Sequence, residues 1–269
     1  MEHNVKIFIS ADIEGVTGVT HWDETHLREE ESRQFRDQMT AEVVAACEGA
    51  LKAGAKEIWV KDAHGTGRNI IPAKLPHEAR LIRGWAPHPF MMVQELDESF
   101  RGVAFIGYHS RAGAGHSPLS HTISGRYASI KINDQYASEF LIHSYAAAFL
   151  NVPAILISGD KGICDEAAQL IPKIKTIAVK EGIGDSTINI HPELAISNIR
   201  ESIQKALQGE RNECLLTLPK HFCVELQYKE HTHAFQLGFY PGAKQISPTT
   251  VQFESQSYFD ILRFFLFAP

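Results

Sequence analysis

Cysteine is scarce and unpaired in this 269-residue chain: Cys47, Cys164, Cys214 and Cys223 are scattered, with no C-x-x-C pair among them. That pattern argues against a disulfide framework and for a reduced compartment. Positive charge is not in excess either. With 26 Lys and Arg against 32 Asp and Glu, the chain carries a formal net charge of −6. It therefore lacks the basic footprint of a nucleic-acid or anionic-membrane partner, and a small-molecule partner is expected instead. Long apolar runs are missing as well. The most apolar tract, YAAAFLNVPAILIS, is interrupted by Asn151 and Pro153 and falls short of the roughly 18 residues that a membrane span requires. The amino terminus enters a strand without a basic n-region and apolar h-region, so the expected location is cytoplasmic. No internal repeat and no low-complexity linker is visible.

What is present is ordinary globular material, 44% hydrophobic and 22% charged, enough for one large or two small domains. VKIFIS reads as a buried strand, followed by a helical pattern over about residues 27–53. Phe35, Met39, Val43, Cys47, Ala50 and Leu51 form its stripe, and Gly54 is its stop signal. EIWVKDAHG is a second strand, LIRG a short one, FMMVQELD a helical stretch, and GVAFIGYHS a third strong strand. Alternating strand and helix predicts a parallel sheet covered by helices.

After Ser110 the pattern changes. RAGAGHSPLSHT is a Gly/Ser/Pro-rich loop long enough to be functional. ASIKIND follows as a strand with an Asn-Asp turn, and SEFLIHSYAAAFLN as a helix opened by Ser138 with Glu139 just inside it. PAILISGD, CDEAAQLIP, KTIAVKEG and PELAISNIRESIQKALQ then form a second alternating set, which FCVELQY and TTVQFES close as strands before a Phe-rich helix. The predicted fold is α/β: a mostly parallel sheet flanked by helices, with a second, smaller α/β portion. A boundary near residue 150 would separate a metal-binding catalytic portion, 1–150, from a portion over 151–269 that packs against it and contributes to oligomerisation.

Ligands in open parallel sheets bind outside the carboxyl ends of the strands. Asp12 and Glu14 follow the first strand, His64 the second and His109 the third. Side chains two apart in an extended D-x-E point the same way, so Asp12 and Glu14 can serve one site. Carboxylates mixed with imidazoles suit zinc, manganese or iron, and the lack of a nearby thiolate disfavours a structural zinc knuckle. Each position also has a plain reading: the acids as turn caps, His64 and His109 as loop histidines. Asp62 can orient the His64 imidazole or cap a turn. Of the 14 histidines most are expected at the surface, His231 and His233 among them.

Taken together, SADIEG, KDAHG, FRGVAFIGYHSR, LSHT, SEF and TTVQF, in that order over nearly the whole chain, resemble the D-aminopeptidase family of bacterial dipeptide-transport operons, the M55 metallopeptidases. The resemblance implies two zinc ions per chain. Asp12 would bridge them, Glu14 and His64 would complete one, and His109 and Glu139 the other. Glu139 is implied by the resemblance alone, since a glutamate just inside a helix is otherwise accounted for by the helix dipole. His121 would be the catalytic residue that binds no metal, with His116 in the same loop as its rival. Three carboxylates against two divalent ions leave room for one bridging hydroxide, the nucleophile in such a site, with its pKa near 7. The implied activity is release of an amino-terminal residue, a D-amino acid, from short peptides. The implied assembly is a homodecamer of two stacked five-membered rings. Two alternatives stand beside it: a dinuclear-metal phosphoesterase, for which Arg111 is the one basic residue near the strand ends, and a non-catalytic metal-dependent peptide-binding protein.

Overall fold

The computed structural model describes residues 5–27 and 32–268. Its centre is a seven-stranded sheet. Strands β1 (Lys6–Ala11), β2 (Glu57–Asp62), β3 (Ala79–Ile82) and β4 (Val103–Tyr108) come from the first part of the chain. Two further strands, β5 (Tyr127–Ile132) and β6 (Gln135–Tyr136), leave this sheet, and β7 (Ala154–Asp160), β8 (Lys175–Ile183) and β9 (Ser186–Asn189) return to it. The order is β3-β2-β1-β4-β7-β8-β9, parallel throughout except for the β8–β9 hairpin at the edge. Every residue of β4 and β7 is buried, as expected of central strands covered on both faces.

Helices α1 (Arg33–Lys52), α2 (Glu139–Phe149), α3 (Lys161–Leu170) and α4 (Pro192–Gln208) cover that sheet. α1 packs on β1 and β4, α4 on β7 and β8, and the two helices on each other. The predicted helix over 27–53 is thus found as α1, with residues 28–31 of that prediction outside the described residues. The helix expected around FMMVQELD is only a 3₁₀ turn, Met91–Val93. Met91 and Glu95 adopt φ of 42° and 72°, left-handed values that a continuing helix does not tolerate.

The second sheet is antiparallel, in the order β11-β12-β10-β5-β6, with β10 (Phe222–Tyr228), β11 (Lys244–Ser247) and β12 (Thr250–Ser255). Helices α5 (His231–Leu237) and α6 (Tyr258–Phe267) pack on it, and α6 also meets α2. FCVELQY therefore pairs with ASIKI on one side and with TTVQFES on the other instead of extending the parallel set. Their alternating burial is the mark of a sheet covered on one face. The β5–β6 turn has φ of 50° at Asn133 and 65° at Asp134, the left-handed pair that a two-residue hairpin requires. The two sheets do not divide the chain at residue 150: 154–189 belongs to the first sheet and 127–136 to the second. The segment 109–153 is an excursion from the parallel sheet.

Candidate metal centre

The polypeptide leaves β1 at Ala11, whose neighbours across the sheet are Asp62 and Ile106. The next residues cross over β4, where the Asp12 and Gly15 amides donate to the Ile106 and Gly107 carbonyls at 2.8 Å each. A Cβ on Gly15 would stand 1.8 Å from the Tyr108 carbonyl oxygen, so only glycine permits this crossing. The tight passage fixes Asp12 and Glu14, both almost wholly buried, over the crevice between β1, β2 and β4.

The structure brings together Asp12, Glu14, His64, His109, His121 and Glu139. His64 Nδ1 lies 2.9 Å from Glu14 Oε2 and 3.2 Å from Asp12 Oδ1. His109 Nε2 lies 3.5 Å from Asp12 Oδ2 and 3.2 Å from Glu139 Oε2. His121 Nε2 lies 3.7 Å from Glu139 Oε1, and its ring stacks on His109 with centroids 4.2 Å apart. His116 is elsewhere, lining a separate cavity with Arg111 and Tyr136.

The imidazoles share one arrangement. A backbone carbonyl only accepts, so the contacts of His64 Nε2 with Thr25 O (3.1 Å), His109 Nδ1 with Ser110 O (2.9 Å) and His121 Nδ1 with Leu119 O (2.9 Å) place a hydrogen on each of those nitrogens. The other ring nitrogen of each, a lone pair when the ring is neutral, then faces carboxylate oxygen. Two lone-pair surfaces do not attract, and a cation between them is what such a set fits. His109 Nε2 and Glu139 Oε2 are buried and misaligned for a hydrogen bond with each other or with any other partner. The donors are nitrogen and carboxylate oxygen, without thiolate, and so match zinc.

Without metal the same cluster must hold protons. Burial by itself depresses the pKa of His64 and His109, yet the charges of Glu14 and Asp12 on one, and of Glu139 and Asp12 on the other, outweigh it and carry both well above the ordinary histidine range. Asp12 is pushed up to about 6, first by burial and then by the Glu14 charge. Burial also opposes ionisation of Glu14 and Glu139, but His64 and His109 win: Glu14 falls well below the usual carboxylate range and Glu139 to about 2.

Several supporting contacts have no mark in the sequence. Lys180, buried on β8, donates to the carbonyls of Glu14 and Val19 and so pins the loop after β1. His143 is a core histidine: its Nδ1 donates to the Glu139 carbonyl at 2.7 Å, its Nε2 accepts from the Met92 amide at 3.4 Å, and burial lowers its pKa to about 4. Asp62 does not touch the His64 ring. It accepts from the Asn69 and Ile70 amides at 2.6 and 2.8 Å and caps a turn. Ile123 donates its amide to Glu139 Oε1 at 2.6 Å, leaving Oε2 for the centre. To do so Ile123 takes φ of 64°, in a three-residue turn closed by a 2.7 Å bond from the Ser124 amide to the Thr122 carbonyl. Such a turn is rare and strained, and holding a β-branched residue there costs on the order of 1–3 kcal/mol.

Asp12, Glu14, His64, His121 and Glu139 form the floor of a cavity of about 650 Å³. Its walls are largely apolar and aromatic, with Trp22, Trp85, Met91, Met92 and Ile123 beside His26 and Ser124, and among the described residues no lysine or arginine lines it. Trp22 meets the His121 ring edge-on at 5.2 Å. Among the described residues no helix is long and apolar enough to cross a membrane.

Known proteins share this architecture. A solved structure, the Zn-dependent D-aminopeptidase DppA from Bacillus subtilis, described as a self-compartmentalizing protease, matches with a TM-score of 0.92 at 30% identity, covering 97% of this chain and 96% of that one. A D-aminopeptidase of Bacillus subtilis (strain 168) is 32% identical over 256 residues, 94% of this chain and 92% of the relative. The model of the M55 peptidases, described as D-aminopeptidase, matches residues 5–267. The chain belongs to the M55 peptidase family, the D-aminopeptidases.

Proposed function

We propose that the protein is a zinc-dependent aminopeptidase that releases the amino-terminal residue, a D-amino acid, from short peptides, and that it holds two zinc ions. The observation that carries this reading is the set of carbonyl-anchored imidazoles whose free nitrogens face buried carboxylates. The donors divide in two. Asp12 Oδ1 adjoins Glu14 and His64; Asp12 Oδ2 adjoins His109 and Glu139. One carboxylate thus serves both positions, as a bridge would.

Zinc held by these residues would supply Lewis acidity toward the scissile carbonyl and would lower the pKa of a bound water to about 7. The remaining work falls to the chain. His121 keeps its Nδ1–H on Leu119 O, so its Nε2 is free to take a proton from the attacking water and pass it to the leaving amine. The His109 and Trp22 rings on either side fix the plane in which that nitrogen moves. The apolar walls exclude water from the donors.

A phosphoesterase would want cationic side chains for phosphate, and among the described residues no lysine or arginine lines this cavity; Arg111 lies over Tyr136 beside the other one. The Bacillus relative's self-compartmentalization supports a homo-oligomer here too, and the form we propose is a decamer of stacked pentamers. The half-or-more exposed Phe235, Phe239 and Phe267 fit contact surfaces between copies. The four free thiols fit a reduced, cytoplasmic setting. D-alanyl and L-alanyl amides assayed beside p-nitrophenyl phosphate test the reading: hydrolysis of the D-amide is expected, and phosphate release alone refutes it. His121→Ala should lower kcat by about 10²–10⁴-fold with zinc content intact. Light scattering should give a mass near ten times the 30.0 kDa of one chain.

A further inference from the structure

Six non-glycine residues among those described have positive φ, and three are Asn or Asp, which tolerate it. Ile123 is the β-branched exception, and glycine would make its turn without strain. The turn serves Glu139 through a backbone amide that any residue but proline supplies. Nothing in that contact requires isoleucine. The side chain therefore has a task of its own, and it is spent on the cavity wall next to His121 and Glu139. Met91, with φ of 42°, lines the same cavity.

Resting on the aminopeptidase reading, we infer that Ile123 and Met91 form the subsite for the side chain of the substrate's amino-terminal residue, and that Ile123 sets the size of side chain accepted. The reacting carbonyl must sit at the donor cluster, and the amino-terminal side chain branches from the atom next to it. It must therefore lie against the wall nearest the cluster, to which Ile123 is tied through Glu139 Oε1. The leaving peptide departs on the open side, marked by Trp22 and Trp85, which are 37% and 42% exposed. The part of the wall that Ile123 and Met91 form is apolar, so the favoured residue is apolar and of limited size.

Ile123→Ala tests this with D-alanyl, D-valyl and D-leucyl p-nitroanilides. The ratio of kcat/KM for D-leucyl over D-alanyl should rise about tenfold or more, with zinc content unchanged. Binding of D-leucinamide relative to D-alaninamide by the zinc-free protein, followed by calorimetry, should shift the same way. Ile123→Val, one methyl smaller, should move the ratio about fourfold and carries the test if the alanine variant does not fold. A ratio unchanged in both variants, or equal losses on every substrate, overturns the subsite while leaving the aminopeptidase reading intact. An unmodified protein inactive on every amide overturns both.

Discussion

Loading zinc into the metal-free protein should release about two protons per chain from histidine. His64 and His109 are held well above the ordinary histidine pKa by the carboxylates they face, despite burial, so both are imidazolium at pH 7. The metal-free cluster then carries three carboxylate charges against two cations, a net of about −1. A metal needs the lone pairs that those protons occupy, so each ion displaces one. The sign follows: binding is weaker at low pH and strengthens as pH rises, by up to two decades per pH unit for filling both positions while the histidines remain charged. From pH 6 to 7 the overall constant for the pair should rise about 100-fold, with Asp12, pushed up to about 6, steepening the dependence near the acid end. His143 adds nothing, being neutral already with a pKa of about 4. Calorimetric titration with zinc in buffers of different ionisation enthalpy counts the protons directly. A count near zero, or an affinity flat between pH 6 and 8, would refute the assignment of His64 and His109 as facing the metal through Nδ1 and Nε2.

Other consequences are as direct. Asp12→Asn should empty both metal positions and Glu14→Gln chiefly one, read as zinc per chain; equal loss from the two variants contradicts a bridging Asp12. Glu42, wholly buried on α1 with one carboxylate oxygen unbonded, is pushed up to about 7 by burial. Its folded pKa thus exceeds its unfolded one, so its contribution is fully present below about pH 4.5 and is lost as pH rises through 7. Glu42→Gln should gain up to about 3 kcal/mol on the unmodified protein between pH 4.5 and 8 in urea denaturation, and parallel pH curves would count against this. Gly15→Ala places a carbon 1.8 Å from the Tyr108 oxygen and should lower the melting temperature by about 5–10 °C and reduce zinc uptake. Unchanged values for both would mean that the crossing over β4 is looser than the structure shows.

The parallel sheet and the clustering of Asp12, Glu14, His64 and His109 were legible in the sequence because continuous apolar strands announce where they end, and those four residues sit just past those ends. Glu139 was not legible from pattern: a glutamate at the first position of a helix has a sufficient electrostatic reason to be there, and only the family likeness drew it out. Asp62 looked equally able to orient His64, and the structure gives that task to the Thr25 carbonyl. A carbonyl's partner leaves no trace in residue identity, so the anchors of all three imidazoles were invisible. Ile123 was hidden more deeply, since its residue type argues for extended backbone and its amide reaches Glu139 only from the opposite conformation. The antiparallel pairing of β10 and β12 did have a signal, the apolar–polar alternation of VELQY and TVQFE, which the surrounding strand-helix alternation masked.

The strand order explains why one centre draws on such distant residues. β2 and β3 lie on one side of β1 and β4 on the other, so the connections diverge there and leave a crevice at the carboxyl ends. Asp12, Glu14, His64 and His109 line it from the turns just past the ends of β1, β2 and β4. The excursion after β4 then supplies the rest: His121 and Ile123 from its loop, and Glu139 where α2 carries the chain back. The proposed metal-facing set is thus mostly fixed by the sheet, while His121, to which we assign the proton transfer, and the apolar wall ride on a segment outside it. Changes to that loop can alter which peptide is accepted without disturbing strand registry. The exception is Glu139, whose Oε1 holds the loop at Ile123 and whose Oε2 faces His109. That single carboxylate ties the variable half of the site to the fixed half, and it sets the limit on how far the loop can move before the centre itself is lost.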